Sequence, residues 1–315
     1  MADILVTGGA GFIGSNIARL ALERGYRVRI LDNLSTGSMN NLEGLDGLEV
    51  EYINGDVQDP EVALEATRGV KYVFHQAALS ASTQFVPDPS TGLKVNVLGF
   101  SNILLASSKN QVSKVVYAMT SSMYGNAPVP WAEDDLLVSC VPNVYALSLL
   151  ARAFISNQFE KTSKIRTVGL VYFSVYGRYE AAKGNLANIV SQFLWKIKNN
   201  QSPILYGDGE QTRDFVNVSD VARANLMAAE ADYSGGFLNV GTGKQVTMKD
   251  IATRLADLMQ KDVEPVYEPN PIYGYCYHTC ADTRKAAETI GFRARISLDD
   301  GLRDLVEFYK ESDSR

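Results

Sequence analysis

The chain has 315 residues, 46% of them hydrophobic, and a formal net charge of −6. That length suits one large core or two fused units, and the negative balance provides no long-range attraction to nucleic acid or to an anionic membrane surface. No apolar run reaches the length of a membrane span, and the start lacks a basic segment followed by an apolar stretch and a cleavage site, so a cytoplasmic protein is expected. Cys140, Cys276 and Cys280 lack Cys-x-x-Cys spacing, and only His75 and His278 offer imidazole, so neither a zinc site nor a disulfide framework is expected.

Ile4-Leu5-Val6 predicts a strand that runs straight into Thr7-Gly8-Gly9-Ala10-Gly11-Phe12-Ile13-Gly14, followed by an amphipathic helix to about Glu23. Gly9, Gly11 and Gly14 satisfy the dinucleotide-binding fingerprint in its strand, turn and helix setting: a tight turn, close backbone approach to a pyrophosphate, and close helix-to-strand packing. The helix start offers unpaired N–H groups and a partial positive charge to phosphates. A second strand, Val28 to Leu31, ends at Asp32. A carboxylate there accepts hydrogen bonds from the adenosine ribose and repels a 2′-phosphate, so NAD is expected rather than NADP.

Strands are then predicted at Leu48–Ile53, Lys71–His75, Lys114–Met119 and Ile165–Phe173. Helices fall at Pro60–Thr67, Thr91–Lys109 and Asn143–Lys161, and a loop at Ser122–Pro128. Strands alternating with helices give a doubly wound parallel sheet of Rossmann type. From about Gly177 the alternation loosens into helices at Leu186–Asn199, Thr247–Gln260 and Leu298–Lys310. The expected division is a dinucleotide-binding unit over 1–177, joined by parts of 214–245, and a substrate lobe mainly over 178–315, with a ligand in the cleft between.

These motifs, together with Asp32-Asn33-Leu34-Ser35-Thr36-Gly37, Gly55-Asp56-Val57, His75-Gln76-Ala77-Ala78, Thr120-Ser121-Ser122-Met123-Tyr124-Gly125 and Gly207 to Phe215, resemble the extended short-chain dehydrogenase/reductase family, in its nucleotide-sugar epimerase branch. The resemblance spans nearly the whole chain. It implies that Gly8, Gly11, Phe12, Ile13, Gly14, Asp32, Asn33, Ser35, Thr36, Gly37, Gln76, Ala77, Ala78, Asn96, Tyr145 and Tyr172 serve the dinucleotide, with Asp56 and Val57 on the adenine. It implies that Ser122, Ser174, Asn185, Leu186 and Tyr277 serve the substrate, that Arg213 grips its diphosphate, and that Leu205 and Tyr206 border its uracil. A homodimer paired through the helices at 91–109 and 143–161 is implied as well, with Phe100-Ile103-Leu104 and Leu147-Leu150-Phe154 as runs compatible with either interface or core.

In that family a sugar hydroxyl is oxidised by NAD, and hydride is returned to the other face of the ketose. A Tyr acts as phenolate base, a Ser or Thr hydroxyl fixes the substrate oxygen, and a Lys four residues beyond the Tyr lowers the phenol's pKa. Thr120 falls on the hydroxyl position and Tyr145 on the base position. Leu149 falls on the lysine. With a phenol pKa of about 10, only roughly one molecule in a thousand ionises unaided at neutral pH, so the departure could cost on the order of 10³ in rate.

Two further departures fall in the same region: Ser174 stands where the family has Asn, and Tyr277 where it has a diphosphate-clamping Arg. Tyr275 and Tyr277 could instead stack on a ring. No carboxylate stands at Ser121 or Ser122, where the dehydratases and decarboxylases of the branch carry one, so epimerisation is the simpler reading. His75 reads as a structural residue at a strand end, and Cys140 as ordinary packing. The expected activity is an NAD-dependent UDP-hexose 4-epimerase acting on a nucleotide sugar. Two alternatives stay open: a related sugar-nucleotide oxidoreductase or C5 epimerase, and a catalytically impaired NAD-binding module.

Overall fold

The computed structural model describes residues 2–45, 49–136, 138–271 and 275–312. β1 (Ile4–Thr7) leads into α1 (Phe12–Glu23), followed by β2 (Val28–Asp32), β3 (Val50–Asn54), α2 (Pro60–Ala66) and β4 (Tyr72–His75). Next come α3 (Pro89–Leu93), α4 (Phe100–Lys109), β5 (Lys114–Thr120), α5 (Val144–Ser163) and β6 (Arg166–Tyr172). The remainder holds β7 (Ser174–Tyr176), α6 (Ile189–Lys198), β8 (Ile204–Tyr206), β9 (Thr212–Arg213), β10 (Phe215–Asn217), α7 (Val218–Glu230) and β11 (Gly236–Val240). It closes with β12 (Val246–Thr247), α8 (Met248–Met259), β13 (Val266–Glu268), α9 (Arg284–Ile290) and α10 (Leu298–Ser312).

Seven strands form one parallel sheet in the order β11-β6-β5-β4-β1-β2-β3. The chain winds outward from β1 through β2 and β3, then returns to β4 on the other side of β1 and winds the opposite way. The strand ends at β1 and β4 therefore open a crevice, as a topological switch point must. β1 and β2 are buried along their whole length, as parallel strands covered on both faces should be. Their alternate residues feed two apolar clusters, Ile4, Val6 and Ile30 on one side and Leu5 and Leu31 on the other. A third cluster, including Phe193, Leu194, Leu205, Ile251 and Leu305, fills the second lobe.

Two helices differ from the sequence expectation in ways that bear on the site. The helix expected at 91–109 begins at Pro89, where Asp88 caps it, and runs through a π-helical turn at Lys94–Gly99 before α4. That turn carries the buried Asn96, whose side chain is tied to Leu79 rather than free. The helix expected from Leu186 begins at Ile189, because Asn188 caps it and Gly184 at φ +51° interrupts the turn before. The strand expected from Leu48 starts at Val50; Leu48 itself lies outside the described residues.

Candidate active site

The glycine turn is fixed by contacts that leave no room for a side chain. Gly8 has φ +67°, and a Cβ there would stand 2.8 Å from the Ala77 nitrogen; one on Gly14 would stand 2.1 Å from the Gly8 oxygen. α1 starts with Gly11 as its cap, has no side-chain cap and no acidic residue in its first turn. Its leading N–H groups therefore suit an anion. Asp32 locks the arrangement: its carboxylate accepts from Ala10 N at 2.9 Å and Leu34 N at 2.8 Å, and burial pushes its pKa up. Each carboxylate oxygen keeps a lone pair free for a ribose hydroxyl.

A cleft of about 400 Å³ opens from this turn across the carboxyl ends of the strands. Gly8, Gly11, Phe12, Ile13, Gly14 and Asp32 form one end, with Asn33, Ser35, Thr36, Asp56 and Val57 beside them. Asn33 donates to Asp56 at 2.9 Å, which ties the two loops together. Gln76, Ala77, Ala78, Thr120, Ser122, Tyr145, Tyr172, Ser174 and Leu186 line the rest. Gly37 sits just behind the wall, where a Cβ would meet the Ala10 carbonyl group at 2.9 Å.

Of the two phenols in the cleft, one is engaged. The Tyr172 hydroxyl is bonded to Gln76 and Asn225, and burial raises its pKa. Tyr145, on the first turn of α5, instead faces Thr120 across the cleft, whose hydroxyl draws the phenol's burial-raised pKa back down. Asn143 caps α5 by accepting from Ala146 N at 2.9 Å, and the ring of Phe85 packs on Tyr145 with centroids 5.7 Å apart. Tyr145 thus has one ring neighbour, one hydroxyl neighbour and an open side. Leu149 lies one turn on, 4% exposed, in the same wall. His75 is sealed beneath, with Nδ1 2.9 Å from the Thr7 hydroxyl, and burial drives its pKa well down, so it stays neutral.

A family profile described as the NAD dependent epimerase/dehydratase family matches residues 4–241. The chain belongs to that family. A Methanocaldococcus jannaschii protein named "Putative UDP-glucose 4-epimerase" is 36% identical over 98% of this chain and 99% of its own. Among solved structures, the UDP-N-acetylglucosamine 4-epimerase of Methanobrevibacter ruminantium, in complex with UDP-N-acetylmuramic acid, is 30% identical with a TM-score of 0.92, covering 99% of both chains. The Thermotoga maritima UDP-glucose 4-epimerase, with UDP-glucose, is 31% identical with a TM-score of 0.90, covering 98% of this chain and 99% of that one.

For a member of this family, several residues sit elsewhere than the resemblance implies. Asn96 does not line the cleft: its amide accepts from Leu79 N and donates to Leu79 O and Ser148, so it braces the wall from behind. Leu205 is 1% exposed in the core of the second lobe, Tyr206 is beside it, and Asn185 is exposed on the turn before α6; none of them reaches the cleft. Arg213 turns toward Tyr277: its Nη1 donates to the Thr212 and Tyr277 carbonyls, and its guanidinium covers the Tyr275 ring at 4.9 Å. Tyr275 and Tyr277 stack edge-on against each other, with Tyr277 52% exposed, and Gly274 before them lies outside the described residues. Asp214 does not pair with Arg213; it is buried and accepts from Thr242, Gly243 and Ala281.

Two cations escaped the sequence reading. Lys183, in the turn before α6, lines the cleft, pairs with the enclosed Glu180 at 3.1 Å, and stands 5.6 Å from the Phe12 ring at the start of α1. No motif marks it. Arg152, two turns beyond Tyr145 on α5, is 0% exposed, and nothing in the sequence sets it apart from a solvent-facing helical arginine.

Proposed function

We propose that this protein is an NAD-dependent nucleotide-sugar epimerase acting on a UDP-linked hexose at C4. The observation that carries the reading is Tyr145 set against Thr120 in the same cleft that the glycine turn and Asp32 open. When bound, NAD accepts a hydride from the sugar carbon and returns it to the opposite face. The uncapped start of α1 takes the dinucleotide's diphosphate, Asp32 its adenosine ribose, and Asp56 and Val57 the adenine side.

Thr120 holds the C4 oxygen, and the Tyr145 phenolate removes its proton as the ketone forms, then gives it back. Ser122 and Ser174 orient the sugar. Lys183 adds positive charge where phosphates gather, while Arg213 and Tyr277, beyond the cleft, are assigned to the far nucleotide end. The site boundary falls near residue 177, with 214–245 returning to the sheet side through α7 and β11.

A cytoplasmic homodimer completes the reading. No helix among the described residues is long and apolar enough to cross a membrane. Phe100, Ile103, Leu104 and Leu150 are core residues, whereas Leu98, Leu105, Leu147 and Phe154 are all more than 40% exposed on the same two helical segments. Those exposed apolar side chains support pairing of two copies. Light scattering at the monomer mass would end that part of the proposal.

The activity is tested by proton NMR of the protein with NAD and, separately, UDP-glucose, UDP-N-acetylglucosamine and UDP-glucuronate, following the anomeric and H4 signals over hours. Appearance of a C4 epimer is expected for one of them. No change in any, with NAD bound, favours the binding-module alternative, to which the aliphatic Leu149 in the cleft wall lends weight.

A further inference from the structure

α5 carries a charge that none of these roles uses. Arg152 follows Tyr145 by seven residues, two helical turns along the same face, and follows Leu149 by three. Its guanidinium donates only to backbone carbonyls: Nε to Asn96 at 2.9 Å, Nη1 to Ala118 at 3.1 Å and Nη2 to Ala77 at 2.9 Å. Ala77 and Ala118 both line the cleft, so the cation lies directly behind its wall. No carboxylate pairs with it among the described residues.

Enclosing a cation with carbonyl dipoles alone is costly, and an apolar side chain would close the same helix-to-sheet contact without that cost. Burial pulls the guanidinium's pKa down to about 9, which leaves it protonated at neutral pH. The groups that feel its charge are phenols: Tyr145 on α5, Tyr117 on β5 and Tyr172 on β6, with the neutral His75 of β4 nearby and the Phe100 ring of α4 at 5.4 Å. Tyr117 is bonded to Ser156 and Tyr172 to Gln76 and Asn225. Only Tyr145 is left open to react.

We propose that Arg152 performs, from behind the wall, the electrostatic task that Leu149 cannot: it holds a positive charge near Tyr145 and favours the phenolate. The inference rests on Tyr145 being the base. Burial pushes the Tyr145 phenol above its ordinary value, while Thr120 and Arg152 draw it back. Arg152 does not line the cleft, so it is a positioning residue and takes no part in holding the nicotinamide ribose.

The test is an ultraviolet tyrosinate titration of the NAD-bound protein, each variant measured against the same variant carrying Tyr145→Phe, so that the difference reports Tyr145 alone. Arg152→Gln removes the charge but keeps donors for the carbonyls, and should move the Tyr145 midpoint up by about 1 pH unit or more. Arg152→Lys should restore most of that shift. A folded Arg152→Gln protein with an unmoved midpoint would overturn the proposal.

Arg152→Met supplies a second reading should Arg152→Gln fail to fold: it fills much of the same space without the charge, and should raise the Tyr145 midpoint by a similar amount, about 1 pH unit or more. An unmoved midpoint in a folded Arg152→Met protein would overturn the proposal as well. Because no sugar is needed, a failed epimerase assay leaves these titrations intact and counts against the activity rather than the coupling.

Discussion

The turn after β1 and the first two turns of α5 face the same cleft, yet they are built on opposite principles. The first is made by backbone: Gly8, Gly14 and the uncapped start of α1 create a site by leaving side chains out. The second is made by side chains that meet only in the folded chain: Tyr145 from α5, Thr120 from β5 and Phe85 from the turn at Ser82–Phe85. A backbone site tolerates almost no substitution, because any Cβ collides with main chain. A side-chain site can be rebuilt, with one charge lost at position 149 and another present at 152.

The sharpest way to break the contrast is Tyr145→Phe, which keeps the ring against Phe85 and removes only the hydroxyl. If α5 supplies the proton chemistry, kcat for the epimerised sugar should fall by about 10³ or more with NAD affinity unchanged. A loss of NAD affinity of similar size would mean instead that Tyr145 belongs to the cofactor site. Gly14→Ala tests the other region. Its methyl would meet the Gly8 oxygen at 2.1 Å, so the turn must open, and calorimetry should show NAD binding weakened on the order of 10²-fold. Normal binding would show that the turn has slack the geometry denies.

Asp32→Asn is expected to do less. One amide oxygen cannot replace both carboxylate acceptors for Ala10 N and Leu34 N, and its NH2 would face one of those donors. NAD affinity should drop about tenfold, and NADP should be less disfavoured once the negative charge is gone. An unchanged NAD to NADP ratio would remove Asp32 from the selectivity argument.

The difference between the two regions also explains what the sequence made legible. Glycine spacing, strand and Asp32 lie within one βα unit and the strand after it, so local pattern sufficed there. The same holds for the sheet, whose alternation of apolar strands and helices is a local signal. The family resemblance implies Asn96 on the dinucleotide, but the π-helical turn at Lys94–Gly99 places its amide behind the wall, where it pairs with Leu79. Leu205 is drawn into the second lobe's core by tertiary packing. Arg152 was missed because a helical arginine ordinarily faces solvent, and only the carbonyls of three separate segments show that this one does not.

The last expected effect, read on stability rather than on turnover or affinity, lies where the two regions touch. His75 is bonded to Thr7 at the base of the glycine turn, packs on Phe100 at 5.3 Å, and lies within the field of Arg152. Burial first, and that cation second, hold its pKa well below the ordinary value of about 6.5. The native state therefore refuses a proton that the unfolded chain accepts below about pH 6.5. The stabilisation is complete above that pH and is lost as pH falls below it, by at most about 1.4 kcal/mol per pH unit. Urea midpoints measured from pH 7.5 to 5 should show this decline, and His75→Gln, which cannot titrate, should flatten it. An equal slope in both proteins would mean that His75 can be charged in place, so that the floor shared by the two regions is wetter, and its field weaker, than its complete enclosure implies.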